Sequence, residues 1–74
     1  PITLSVDSKN YSLSQKLEQK LYELDLVSDY YIESFTKEKI IYKIIYNSTP
    51  DKFINEFANS NIKLNTSDSI WSIE

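Results

Sequence analysis

Asp25, Asp29 and Glu33 recur every four residues, and regularly spaced carboxylates could pass protons or hold a hard cation. In an extended segment those offsets share a face but lie far apart, and no D-x-D-x-D-G loop occurs. Asp29 and Glu33 read better as solvated charges guarding a sheet edge. Serine and threonine are plentiful, yet the chain has no His and no Cys. A hydroxyl nucleophile therefore lacks its usual base, no Ser–Lys motif replaces it, and thiol chemistry is absent. The same absences remove the protein ligands of zinc, copper and iron–sulfur sites. With no Gly, neither a phosphate-cradling loop nor a dinucleotide fingerprint can be written. No catalysis, no cofactor and no metal are expected.

Tyr30, Tyr31, Phe35, Tyr42 and Tyr46 crowd one stretch and could stack nucleic-acid bases. Such binding draws its affinity from neutralised phosphates, whereas here the net charge is −3 and the chain has no Arg. The aromatics are assigned to strand propensity and core packing instead, and nucleic acid is not an expected partner. Three triplets match the N-glycosylation acceptor, at Asn10, Asn47 and Asn65. A chain this rich in Asn, Ser and Thr writes about one by chance, and all three read as turn and cap residues. Trp71 stands two residues before Ile73, on the same strand face, and is expected to close one end of the core.

These residues need elements to hold them. Ile2, Leu4 and Val6 alternate with polar residues and predict a half-buried strand. Ser12 with Gln15 has the spacing of a capping box, and Leu13, Leu17, Leu21 and Leu24 then stack on one helical face. Tyr30 to Phe35 and Ile40 to Tyr46, joined by the polar tip Thr36 to Lys39, predict a hairpin. The second of these strands is apolar on both faces, as a central strand is. Thr49 as N-cap, Pro50 in the first turn and Asp51 near the positive end predict a second helix. Its buried stripe is Phe53 and Phe57, joined by Ile54 and Ala58, and Asn61 takes the left-handed position that ends it. Ile62 to Leu64 is a short extended piece, and Ile70 to Ile73 is the last strand.

The order strand, helix, strand, strand, helix, strand predicts an α+β fold, the ferredoxin-like βαββαβ sandwich. Its antiparallel four-stranded sheet would have order 4-1-3-2, with both helices on one face. Alternation assigns Ile40, Tyr42, Ile44 and Tyr46 to the helices. Ile41, Lys43 and Ile45 then point to the open face, beside Thr3 and Ser5 of the first strand.

The pattern across these elements also resembles a known family. It runs from the alternating first strand and four-spaced Leu helix through Val27 and the polar-tipped hairpin to Ile44-Ile45-Tyr46. After a small polar turn come a second helix, Ile62-x-Leu64 and Trp71-x-Ile73. This looks like the C-terminal domain of an uncharacterised family of alphaproteobacterial proteins. Asn47-Ser48 stands where that family carries Gly, and the matching positions are mostly core positions. The resemblance implies a setting, the bacterial cell envelope to which some members are exported. It implies no chemistry and carries no catalytic residues.

At 74 residues one domain, 1–74, is expected, and Pro1 in place of Met points to excision from a longer protein. Stability per residue sets its total at roughly 4 to 11 kcal/mol. Neither a membrane span nor a leader is read in the chain. The expected role is a non-catalytic interaction or structural module. Its open face, Ile41, Lys43 and Ile45, would meet another copy or another domain of the parent chain. The alternative is a small-ligand-binding regulatory domain. Metal carriage is rejected, because Asp7 to Asn10 stands where a two-Cys loop would be required.

Overall fold

A computed structural model describes residues 1–73. Its elements are β1 (Ile2–Asp7), α1 (Tyr11–Glu23), β2 (Val27–Phe35), β3 (Lys39–Tyr46), α2 (Pro50–Ala58), β4 (Leu64–Asn65) and β5 (Trp71–Ile73). The protein is α+β, with two helices and one mixed sheet of five strands in the order β2-β3-β1-β5-β4.

The start of α1 differs from the sequence expectation. Asn10, rather than Ser12, caps the helix, accepting a hydrogen bond from the Leu13 amide at 3.1 Å. The exit from β1 explains the shift. Asp7 receives the Lys9 amide on its side chain at 2.9 Å and the Asn10 amide on its carbonyl at 3.0 Å. That tight turn delivers Asn10, among the best capping residues, to the helix start two residues early. The α2 start is as the sequence predicts: Thr49 accepts from the Lys52 amide at 3.3 Å, with Pro50 and Asp51 in the first turn. Asn61 has φ 61°, the left-handed conformation that Asn tolerates better than most residues.

One hydrophobic cluster joins the layers. The antiparallel register sets Ile2 against Ile44, Leu4 against Tyr42 and Val6 against Ile40, all on one sheet face. Leu17, Leu21 and Leu24 of the first helical segment and Phe53 and Phe57 of α2 bury against that face. Both helices therefore cover the same side of the sheet. Phe53 lies at the centre of the aromatic packing, 4.5 Å from Phe57, 5.0 Å from Tyr46 and 6.3 Å from Trp71 between ring centroids. Trp71 thus seals the core as its position predicts. Ala58, assigned to the buried stripe, is exposed. The Cα radius of gyration is 11.2 Å, close to the ~11 Å of a compact domain of this length.

The ferredoxin-like order 4-1-3-2 is corrected. Its β2-β3-β1 portion is present with antiparallel pairing throughout, β3 in the middle and β2 at the edge. The strand on the far side of β1 is β5, and it runs parallel to β1, with Leu4 beside Trp71 and Ser5 beside Ser72. The cause is the short piece after α2. Leu64–Asn65 forms a strand of its own, antiparallel to β5, with Leu64 opposite Ile73. This β4 has the direction the fourth ferredoxin strand would have, but it lies one place further out. The loop after it, held where Asn65 Oδ1 accepts from the Ser67 amide and hydroxyl at 3.1 and 2.7 Å, reverses the chain. β5 then fills the vacant place beside β1 in the opposite sense.

Candidate functional site

Two places in the sheet gather side chains that could act: the helix-covered face, with its polar network, and the face away from the helices.

On the covered face, Tyr42 is fully buried, so its hydroxyl needs partners. It donates to Glu18 Oε2 at 2.6 Å, and Ser14 Oγ lies 2.9 Å from the same oxygen. With the phenol proton committed to Glu18, Ser14 is left to donate. Burial, reinforced by the bond to Glu18, pushes the Tyr42 hydroxyl up to about 12. Tyr46 makes the equivalent bond to Glu56, and burial together with that carboxylate raises it to about 12 as well. Tyr30, whose ring is 6.2 Å from that of Tyr42, is raised by burial and by Glu18. These phenols hold their protons more tightly than free tyrosine. That suits them to stitching helices to sheet and unsuits them to proton abstraction near neutral pH. The sequence carried a signal for this network: Ser14 sits on the leucine face of α1, a polar residue where the period calls for an apolar one.

The open face carries Ile41, Lys43 and Ile45, as alternation predicts. Ile41 and Lys43 are half-buried and Ile45 is 37% exposed. The register adds what alternation along one strand cannot show. Tyr31, 52% exposed, is directly opposite Lys43, whose other neighbour is Thr3, while Asp29 is opposite Ile45. Tyr31, Lys43 and Thr3 therefore form one row across three strands, flanked by the two isoleucines. The strand pairing also moves Ser5 out of solvent. Although it belongs to the open face, it is a buried residue, because the loop between β4 and β5 stands beside it. The face is open over β2 and β3 and partly walled over β1 and β5.

The β2 edge is exposed along most of its length, and Tyr31, Ile32 and Phe35 show large apolar surfaces there. Two register shifts interrupt its pairing with β3, between Val27 and Asp29 and between Ile32 and Ser34. Bulges with acidic residues beside them are how natural edges resist adding another strand. Asp29 and Glu33 lie at or beside those shifts, which accords with their reading as edge guards.

Among the described residues, no group of three or more acidic side chains is placed to hold a metal ion. No helix among them is long and apolar enough to cross a membrane. Comparison of the chain with family models, curated proteins and solved structures gives no match. Function is therefore read from the geometry.

Proposed function

We propose that the chain is a non-catalytic interaction or structural module that packs the open face of its sheet against another protein surface. The partner surface is a second copy or another domain of a larger protein. The observation that carries this reading is the pair of faces of β3. Ile40, Tyr42 and Ile44 are buried under the helices, whereas Ile41, Lys43 and Ile45 stay partly in water with Tyr31 beside them. A contiguous apolar surface of a few hundred Å2 is about the largest that a small monomer ordinarily exposes without using it. Lys43 does not break the patch, since its aliphatic stem covers apolar surface while its ammonium stays wet. The composition supports a non-catalytic role, because it supplies neither a His base nor a Cys nucleophile.

Sedimentation of the wild-type chain across a concentration series tests the reading. Self-association that Ile45→Glu and Ile41→Glu abolish, with each variant still folded, is the expected result. A wild-type chain that stays monomeric, with crosslinking of the larger protein finding no contact at this face, would show the face to be simply solvated. The alternative, a small-ligand-binding domain, draws support from one observation, a polar hollow between the open face and the β4–β5 loop.

A further inference from the structure

The hollow has a definite floor. The register sets Ser72, Ser5 and Ile41 in a row on β5, β1 and β3, all on the open face. Lys39, two residues before Ile41 on β3, lines it as well, and Asp68 and Ile70 wall it from the β4–β5 loop. Its volume is about 410 Å3, toward the small end of the ~300–1,000 Å3 typical of ligand cavities. That is room enough for a molecule of a few heavy atoms.

Ser5 marks the hollow as more than a surface dent. The residue is 8% exposed and lines the hollow, and its hydroxyl makes no hydrogen bond to another described residue. A hydroxyl so placed is free to bond water or a ligand. Lys39 and Asp68 bring opposite charges to the same small space, and neither has a salt-bridge partner among the described residues. An inorganic anion would bring its charge against Asp68, and a bare cation would bring its charge against Lys39. A ligand with both charges a few bonds apart satisfies both.

We propose that the hollow binds a small zwitterion of the free α-amino acid class. The ligand carboxylate meets the Lys39 ammonium and accepts from the Ser5 and Ser72 hydroxyls. Its ammonium donates to the Asp68 carboxylate, and its side chain lies against Ile41 and Ile70. Charge-assisted hydrogen bonds of this kind are the strong ones, and they fix the ligand's orientation. This inference deepens the ligand-binding alternative and does not depend on packing of the sheet face.

Titration calorimetry on the 74-residue chain tests it, with alanine and leucine as probes and propionate and ethylamine as single-charge controls. Binding of an amino acid with Kd of about 1 mM or tighter is expected, with each control at least about tenfold weaker. Lys39→Met and Asp68→Asn, checked as folded by thermal melts, should each weaken amino-acid binding by about tenfold or more. No heat with either amino acid overturns the proposal. So does propionate binding as tightly as alanine, or unchanged affinity in both variants. The two readings fail separately. Loss of self-association in Ile45→Glu with no amino-acid heat removes the ligand and leaves the sheet-face reading standing. Amino-acid heat from a chain that never self-associates does the reverse.

Discussion

The two faces of β3 are written in similar residues and end in different environments. On β3, four isoleucine or tyrosine side chains point one way, and two isoleucines and two lysines point the other. On β1 the contrast is sharper, with Ile2, Leu4 and Val6 against Thr3 and Ser5. The covered face meets a complete layer, because α1 and α2 bring leucines and phenylalanines at helical spacing onto it. Among the described residues, the other face meets only a short loop over β1 and β5 and nothing over β2 and β3. Burial is thus set less by a strand's own hydrophobicity than by whether a second element can reach it. Stability should concentrate on one side of the sheet and recognition on the other.

The largest effect that could break this contrast lies at Phe57. Its ring is fully buried against Phe53, and Phe57→Ala is expected to destabilise by roughly 3 to 5 kcal/mol through lost burial and a residual cavity. Against a total of about 4 to 11 kcal/mol, that variant should be largely or wholly unfolded at ordinary temperatures. A thermal melt within a degree of wild type would place the core elsewhere.

Next in size is the polar network. Tyr42→Phe leaves Ser14 and Glu18 without their shared partner, and a loss of about 1 to 3 kcal/mol in denaturant unfolding is expected. The network also sets an alkaline limit. The folded hydroxyls of Tyr42 and Tyr46 lie near 12, above the ordinary value of 10. Between those values the unfolded chain has released protons that the folded chain still holds, so stability falls as pH rises. The contribution is fully present below pH 10 and is lost as pH passes through about 12. Unfolding curves at pH 9 and at pH 11 should show a wild-type loss that shrinks in Tyr42→Phe. An identical pH dependence in the two proteins would mean that the phenol is not held as described.

A smaller effect separates two capping residues. Asn10→Ala should lower stability by about 1 kcal/mol, while Ser12→Ala should move it by a few tenths at most. The reverse order would restore the capping box read from Ser12 and Gln15. A comparably small effect on stability belongs to the open face. Ile45→Glu should change the unfolding free energy of the monomer by no more than about 0.5 kcal/mol, as exposed substitutions do. A loss comparable to that of Phe57→Ala would show that the face is buried, and the contrast between the two sides would collapse.

The candidate site was partly legible in the sequence. Ile41, Lys43 and Ile45 follow from alternation on β3, because a period of two needs only the strand itself. Tyr31 was not assigned to the face, since its place beside Lys43 depends on a register that includes two bulges. Ser5 and Asp68 were not brought together either. They are 63 positions apart in the sequence numbering, and only the β4–β5 loop sets them around one hollow.

What the sequence determined by itself are the features that rest on near neighbours. The leucine spacing of α1, the Thr49-Pro50-Asp51 start of α2, the left-handed Asn61 and the inward face of β3 each follow from interactions within a few residues. The tertiary structure decided direction and neighbourhood. Trp71-Ser72-Ile73 places Trp71 and Ile73 on one face whether the strand runs up or down, so its alternation cannot distinguish parallel from antiparallel pairing with β1. That choice was made by Leu64–Asn65 taking the outer place and by the turn after it, which leaves β5 to enter beside β1 reversed. Side-chain periodicity encodes which face is apolar, whereas strand order and sense depend on which backbone groups find partners once the layers have met.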